Sequence, residues 1–248
     1  MITGAVEFDW GGERLALLPD RAAWLPEHRT LLVADVHLGK SASFRALGVP
    51  VPESVTGRDL ERLSSLLGAT RAVRLIVLGD LVHDQTAMLD RTCDAVRAWR
   101  EGWAGVEVDL IPGNHDRRAT ACERLGVRVL EPEVTLGGLV LTHEPPRDPD
   151  EGAGGERAVT LCGHLHPVVS VGPARTPGRV RSACFWFSGA TGILPAFGSF
   201  TGGCAMGMEL PHAVFAAGDR AVIPVTPLAA LWADGTPSGT DAFAYDGP

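Results

Sequence analysis

The sequence predicts a layered α/β fold, with mixed β-sheets between helices. From Thr30 onward, short continuous apolar runs recur and end abruptly in polar residues, the pattern of strands buried on both faces. Between these runs lie stretches whose apolar residues recur at helical spacing. With 248 residues and 45% hydrophobic content, the chain can bury a sizeable core as one unit. Residues 1–248 are therefore read as a single domain.

The elements follow in order. Residues 5–9, a Gly11-Gly12 turn and residues 14–18 read as a β-hairpin. Five apolar runs then mark strands at 30–34, 75–78, 106–111, 139–141 and 158–162. Leu60, Leu63, Leu66 and Leu67 share one helical face, with Thr56 and Asp59 at capping-box spacing and Gly68 as a stop. Met88, Leu89, Cys93, Val96 and Trp99 mark a second helix ending near Gly102. A shorter one follows Asp116 and stops near Gly126. After His166 the sequence turns to Gly, Pro and short strands, including 180–187 and a hairpin over 213–225 around Gly218-Asp219. Residues 234–248, rich in Gly, Asp, Thr and Pro, read as a mobile tail.

Composition narrows the function. A formal net charge of −8 argues against a protein held to nucleic acid by a broad basic surface, because that mode neutralises many phosphates with Lys and Arg. It leaves room for an enzyme whose metal ions supply positive charge. The first thirty residues carry Glu7, Asp9, Glu13, Arg14, Asp20 and Arg21 with no long apolar stretch, and no later run has the length of a membrane span. A cytoplasmic protein without a membrane partner is expected. Cys93, Cys122, Cys162, Cys184 and Cys204 are widely spaced and lack a CxxC pair, so they read as thiols in a reducing compartment. Cys162 is expected to be the last buried residue of its strand.

Each of the five apolar runs is followed at once by potential metal ligands or proton-transfer groups. These are Asp35 and His37, then Asp80, then Asn114 and His115, then His143, and finally His164 and His166. Carboxyl ends of strands form the usual ligand crevice of an open α/β sheet, so five loops can converge there. Two divalent cations close together need oxygen and imidazole donors and a shared carboxylate. Asp35, His37 and His166 can hold one ion, Asn114, His143 and His164 the other, with Asp80 bridging. Gly79, Gly113 and Gly163 are expected to allow sharp backbone turns before these groups. A lone His at a strand end is more often structural than a ligand; five with acidic partners reverse that preference.

Asp35-Val-His37, Gly79-Asp80, Gly113-Asn-His-Asp116, His143 and Gly163-His-Leu-His166 resemble the calcineurin-like metallophosphoesterase superfamily, with all blocks in the family's order over positions 30–167. The resemblance implies a four-layered αββα sandwich with two mixed β-sheets, and gives His115 the proton-donating role. Asp116 is then placed to orient the His115 imidazole and raise its proton affinity. Asp35-Val-His-Leu-Gly-Lys40, Phe44-Arg45, 48–52 and 194–203 resemble the ligase-associated DNA damage response endonucleases. That narrower resemblance implies a manganese-dependent phosphodiesterase cutting single-stranded DNA in repair, with DNA ligase and other repair proteins as partners.

Other residues keep two readings. Lys40, Arg45 and Arg117 either meet substrate phosphates or are ordinary solvated basic residues. His83 either touches substrate or makes a loop hydrogen bond. Phe197 and Phe200 either stack on bases or pin an irregular loop to the core. His28 and His212 read as surface or capping residues. Competing functions are a nucleotide-lipid or cyclic-nucleotide phosphoesterase of the same superfamily and a non-catalytic, metal-stabilised repair scaffold. The interval from Asp116 to His143 leaves little room for the apolar lid a lipid substrate needs. Leu81-Val-His-Asp84 lacks the arginine-bearing continuation of a phosphoprotein phosphatase.

Overall fold

The computed structural model describes residues 2–52, 54–83, 90–116, 125–146, 159–171, 180–206 and 213–225. Its strands form two sheets. In the first, β1 (Val6–Trp10), β2 (Glu13–Leu18), β3 (Ala22–Leu25) and β4 (Thr30–Ala34) run as an antiparallel meander. Parallel strands β5 (Arg74–Leu78), β6 (Glu107–Ile111) and β7 (Arg128–Val129) continue it. The second sheet has the order β14 (Cys204–Ala205), β11 (Pro167–Val171), β12 (Val180–Ser188), β13 (Thr191–Ile193), β10 (Val159–Cys162), β9 (Leu139–Thr142), β8 (Glu133–Leu136). The hairpin β15 (Ala213–Ala217) and β16 (Val222–Pro224) joins it through β12.

Alternation along β4 shows why its run is apolar throughout. Leu32 and Ala34 face the second sheet and pack with Leu141, Leu161 and Phe185, while Leu31 and Val33 face outward. Phe8 seals the space between the sheets, with ring centroids 4.5 Å from Phe187 and 5.1 Å from Phe215. Burying each such side chain contributes about 1.5–3 kcal/mol. Outward-facing Leu31, Val33, Leu75 and Val77 are covered by Leu60, Leu63, Leu66 and Leu67 of α2 (Val55–Thr70) and Val96 of α3 (Asp90–Gly102). A short helix, α1 (Lys40–Ala46), follows β4. The result is a mixed α/β sandwich of two sheets flanked by helices, as expected. The described part of its helical covering lies on the first sheet.

Local signals misled at α2. Its N-cap is Ser54, without a side-chain cap bond, and the helix runs past Gly68 to end at Arg71 in a left-handed conformation, φ 53°. Asp59 closes no capping box. Its buried carboxylate accepts bonds from the Ser199 amide, at 3.1 Å, and the Ser199 hydroxyl, far along the chain. Strands β3, β7 and β8 lie outside the expected ones, whereas β11, β13 and β14 fall among the short strands expected after His166. The expected helix after Asp116, the tail and residues Met88, Leu89, Arg117, Cys122 and His212 lie outside the described residues. Among the described residues, no helix is long and apolar enough to cross a membrane.

Candidate metal centre

Strand register assembles the site. Ala34, Leu78 and Ile111 lie level across β4, β5 and β6, so Asp35, Asp80 and Asn114 leave the first sheet at one edge. In the second sheet Leu141 pairs with Leu161, which brings the loops after β9 and β10, and hence His143 and His164, to a common edge. Backbone bonds tie the loops together. The Asp35 amide donates to the Gly79 carbonyl (3.1 Å), His37 to Asp80 (2.8 Å) and Gly163 to His143 (3.0 Å). Ala34 and Ala196 form a parallel bridge that links β4 to the segment after β13.

Two donor clusters result, both able to bind a divalent cation. In one, His166 Nε2 lies 3.4 Å from both Asp35 Oδ1 and His37 Nε2. In the other, His143 Nε2 lies 3.1 Å from Asn114 Oδ1, 3.1 Å from His164 Nδ1 and 3.7 Å from Asp80 Oδ1. Ligands at about 2.0–2.2 Å from an ion and at right angles stand roughly 3 Å apart, so these spacings suit a shared cation. Asp80 spans the clusters: Oδ1 faces His143, while Oδ2 is 3.9 Å from His37 Nε2.

Tautomers and desolvation favour cation binding. His143 Nδ1–H donates to the Leu78 carbonyl at 3.1 Å, leaving the Nε2 lone pair toward the cluster. Burial, with the nearby Lys40 charge, pushes His37 down to about 2, so its imidazole stays neutral. Burial also lowers His164, reinforced by His143. Asp35 Oδ1 is completely buried without a hydrogen-bond partner. An anionic oxygen so placed needs a cation to offset its lost hydration.

The backbone is strained around the same residues. Asp35 (φ 53°), His37 (50°), Asp80 (50°), His164 (69°) and His166 (48°) all adopt the left-handed conformation. Each costs on the order of 1–3 kcal/mol and persists where the surroundings dictate it. The glycine expectation needs correction. Gly79 has φ +76°, but Gly113 and Gly163 do not require left-handed backbone; ligand-type side chains approach them too closely for a Cβ. A Cβ on Gly113 would meet Asp80, and one on Gly163 would lie 2.6 Å from Asp35 Oδ2 and 2.9 Å from the Leu78 carbonyl.

His115 stands at the rim, with a side chain 38% exposed. Its Nδ1–H donates to the His83 carbonyl (2.8 Å), leaving Nε2 3.9 Å from Asp80 Oδ2. The His83 and His115 rings stack at 5.3 Å. Asp116 does not orient the His115 imidazole. Its buried carboxylate accepts from the amides of Gly113 (3.0 Å), Leu81 (3.3 Å) and Val82 (3.3 Å), holding the loops after β5 and β6 together. Burial raises its pKa, opposed by these amide bonds.

The other candidates separate clearly. Lys40 is half-buried, with its pKa lowered by burial against the attraction of Asp80 and Asp35. Arg45 clamps its own loop by donating to the carbonyls of Val51 (3.3 Å) and Pro52 (3.1 Å). Phe200 is partly exposed and edge-on to Phe44 at 5.2 Å. Phe197 is excluded as a base-stacking residue: it is 0% exposed and lies under the Arg62 guanidinium, 4.2 Å from the ring centre. Arg62 also donates to the Phe197 and Asp20 carbonyls at 2.9 and 2.8 Å, fixing the loop that carries Phe197. His28 pairs with Glu13 at 2.8 Å, a structural role. Sequence reasoning missed the orienting carbonyls of Leu78 and His83, which no side-chain pattern marks, and two arginines, Arg21 and Arg181, that line a cavity beside His166.

Among solved structures, the chain aligns with the Pseudomonas putida nuclease MPE at 35% identity and a TM-score of 0.73, covering 89% of this chain and 100% of that one. It also aligns with Yfce, a phosphoesterase from E. coli, at 17% identity and a TM-score of 0.42, covering 78% of this chain and 96% of that one. No protein-family model matches the sequence, and no curated protein does. The paired donor clusters supply the chemistry and the identity to nuclease MPE the kinship: the chain belongs to the calcineurin-like metallophosphoesterase superfamily and is a metal-dependent phosphoesterase.

Proposed function

We propose that this protein is a manganese-dependent endonuclease that hydrolyses single-stranded DNA in repair. The observation that carries the reading is the Asp80 carboxylate, which reaches toward both donor clusters beside the exposed Nε2 of His115. The identity to the nuclease MPE supports a nucleic-acid substrate. Asp35, His37 and His166 are assigned to one ion, Asn114, His143 and His164 to the other, and Asp80 to both. The mixed oxygen and imidazole donor set suits first-row divalent cations, and the subfamily resemblance favours manganese among these.

Two divalent ions bound there supply the positive charge and the nucleophile that phosphodiester attack requires. His115 donates the proton that the departing sugar oxygen takes up, from the nitrogen that its bond to the His83 carbonyl leaves facing the crevice. Asp116 keeps the two loops in register so that His115 and Asp80 stay opposed. Lys40, drawn by Asp35 and Asp80, contributes positive charge at the crevice wall. DNA ligase and other repair proteins are the partners the subfamily resemblance supports.

The test is circular single-stranded DNA, which offers no end. Metal-stripped protein reloaded with manganese should linearise the circle and leave relaxed duplex intact. Uncut circles, together with turnover of a nucleotide-lipid or cyclic nucleotide, would defeat the assignment.

A further inference from the structure

A cavity of about 360 Å³ opens beside His166, between the β2–β3 turn that carries Arg21 and the strand β12 that carries Arg181. That volume falls within the usual range of ligand sites. The two guanidinium groups reach it from separate elements and hold the segment 196–203 between them. Arg21 donates long bonds to the Ala196 (3.4 Å) and Gly198 (3.5 Å) carbonyls, and Arg181 donates to the Gly203 carbonyl at 2.9 Å. A guanidinium has five N–H donors, so both retain donors for another acceptor.

Neither arginine forms an ion pair with a carboxylate among the described residues, whereas Arg62, Arg74, Arg97 and Arg128 each do. Asp20, Asp59 and Asp219 act on Arg21 only from a distance, against the repulsion of Arg62. In a chain of net charge −8, two such cations on one cavity wall are a concentrated anion-binding feature. Gly202 and Gly203 bare the backbone beside them. The flank of the metal centre beside Asn114 and His143 differs. A cavity of about 670 Å³ there is lined by Glu133 and Glu144, with no Lys or Arg among the described residues that line it.

We propose that the Arg21–Arg181 cavity is a subsite for the backbone phosphate that neighbours the scissile one, which rests on the single-stranded DNA reading above. The strand then passes over His166 toward the basic side, because an adjacent phosphate is attracted there and repelled by Glu133 and Glu144. Guanidinium groups suit the task through paired N–H donors to phosphate oxygens.

The test compares manganese-loaded full-length protein on a thymidine oligonucleotide, which has neighbouring phosphates, and on bis(p-nitrophenyl) phosphate, which has none. In Arg181→Ala the ratio of kcat/KM on the oligonucleotide to that on the small diester should fall about tenfold, chiefly through KM. The salt dependence of oligonucleotide cleavage should become shallower by about one unit of slope, and Arg181→Lys should recover part of the loss. Gly202→Asp, where a Cβ meets no atom within 4 Å, should lower the same ratio by adding a negative charge. An unchanged ratio in both variants, with the wild type cutting the oligonucleotide, would overturn the subsite alone. A wild type that hydrolyses the small diester but not the oligonucleotide would overturn the DNA reading and the subsite with it.

Discussion

The Nδ1–H of His115 is held by the backbone carbonyl of His83 at 2.8 Å, not by the neighbouring Asp116. A peptide carbonyl fixes the ring's orientation without placing a negative charge beside it, and Nε2 is left toward the crevice, 3.9 Å from Asp80 Oδ2. Proton donation from this position should matter most for a basic leaving group. General-acid catalysis contributes about 10²–10⁴-fold. His115→Ala should therefore lose roughly that factor on DNA while retaining much of its activity on a nitrophenyl phosphodiester, with metal content unchanged. Equal losses on both substrates would assign His115 to charge stabilisation instead.

Asp116 is expected to act on stability more than on protonation. Asp116→Asn weakens bonds to three backbone amides and should destabilise the fold by about 1–3 kcal/mol, the usual range for a disturbed buried acceptor. Urea unfolding measures the loss. The alkaline limb of the pH–rate profile on DNA, where a general acid loses its proton, should stay in place, and its displacement in this variant would restore Asp116 as the group that tunes His115.

Gly163 tests the close packing behind Asp35. A methyl group there would lie 2.6 Å from Asp35 Oδ2 and 2.7 Å from the Ala34 Cβ, so Gly163→Ala must displace the carboxylate. Metal affinity should drop about 10–100-fold, as when the support of a ligand is lost. Calorimetric titration with manganese reads the effect, and wild-type affinity would rule out the packing role.

Burial holds His37 at about 2, below its ordinary 6.5, and lowers His164 in the same direction. Between those limits the unfolded chain binds more protons than the folded one, so folding stability rises with pH and falls as pH drops below 6.5. Asp116, raised by burial from 3.8, opposes this only at the acidic end. Metal-stripped protein should therefore unfold at lower urea concentration at pH about 5.5 than at about 7.5. A higher midpoint at the acidic pH would show that these imidazoles are not buried as neutral groups.

The candidate ligands were legible because each follows an apolar run, and β4, β5, β6, β9 and β10 fall close to the runs that marked them. The sandwich architecture came from the family resemblance. What stayed hidden depends on contacts between distant segments. Asp59 has the spacing of a cap but binds Ser199, 140 positions away. Phe197 lies in a loop that looks exposed, yet its ring is buried beneath Arg62. Strands of four residues or fewer, such as β3 and β7, are too short to show a period. Left-handed backbone at Asp35, His37 and Asp80 is imposed by the assembled crevice; Asp and His adopt it more readily than most residues, but no local pattern marks these positions for it.

The two-ion centre is tested most directly by counting manganese. Titration of metal-stripped protein, checked by elemental analysis, should give two equivalents for the wild type. Asp80→Ala should disturb both sites together, because its carboxylate oxygens face the two clusters at 3.7 and 3.9 Å. A fully active wild type that holds a single equivalent would contradict the binuclear account.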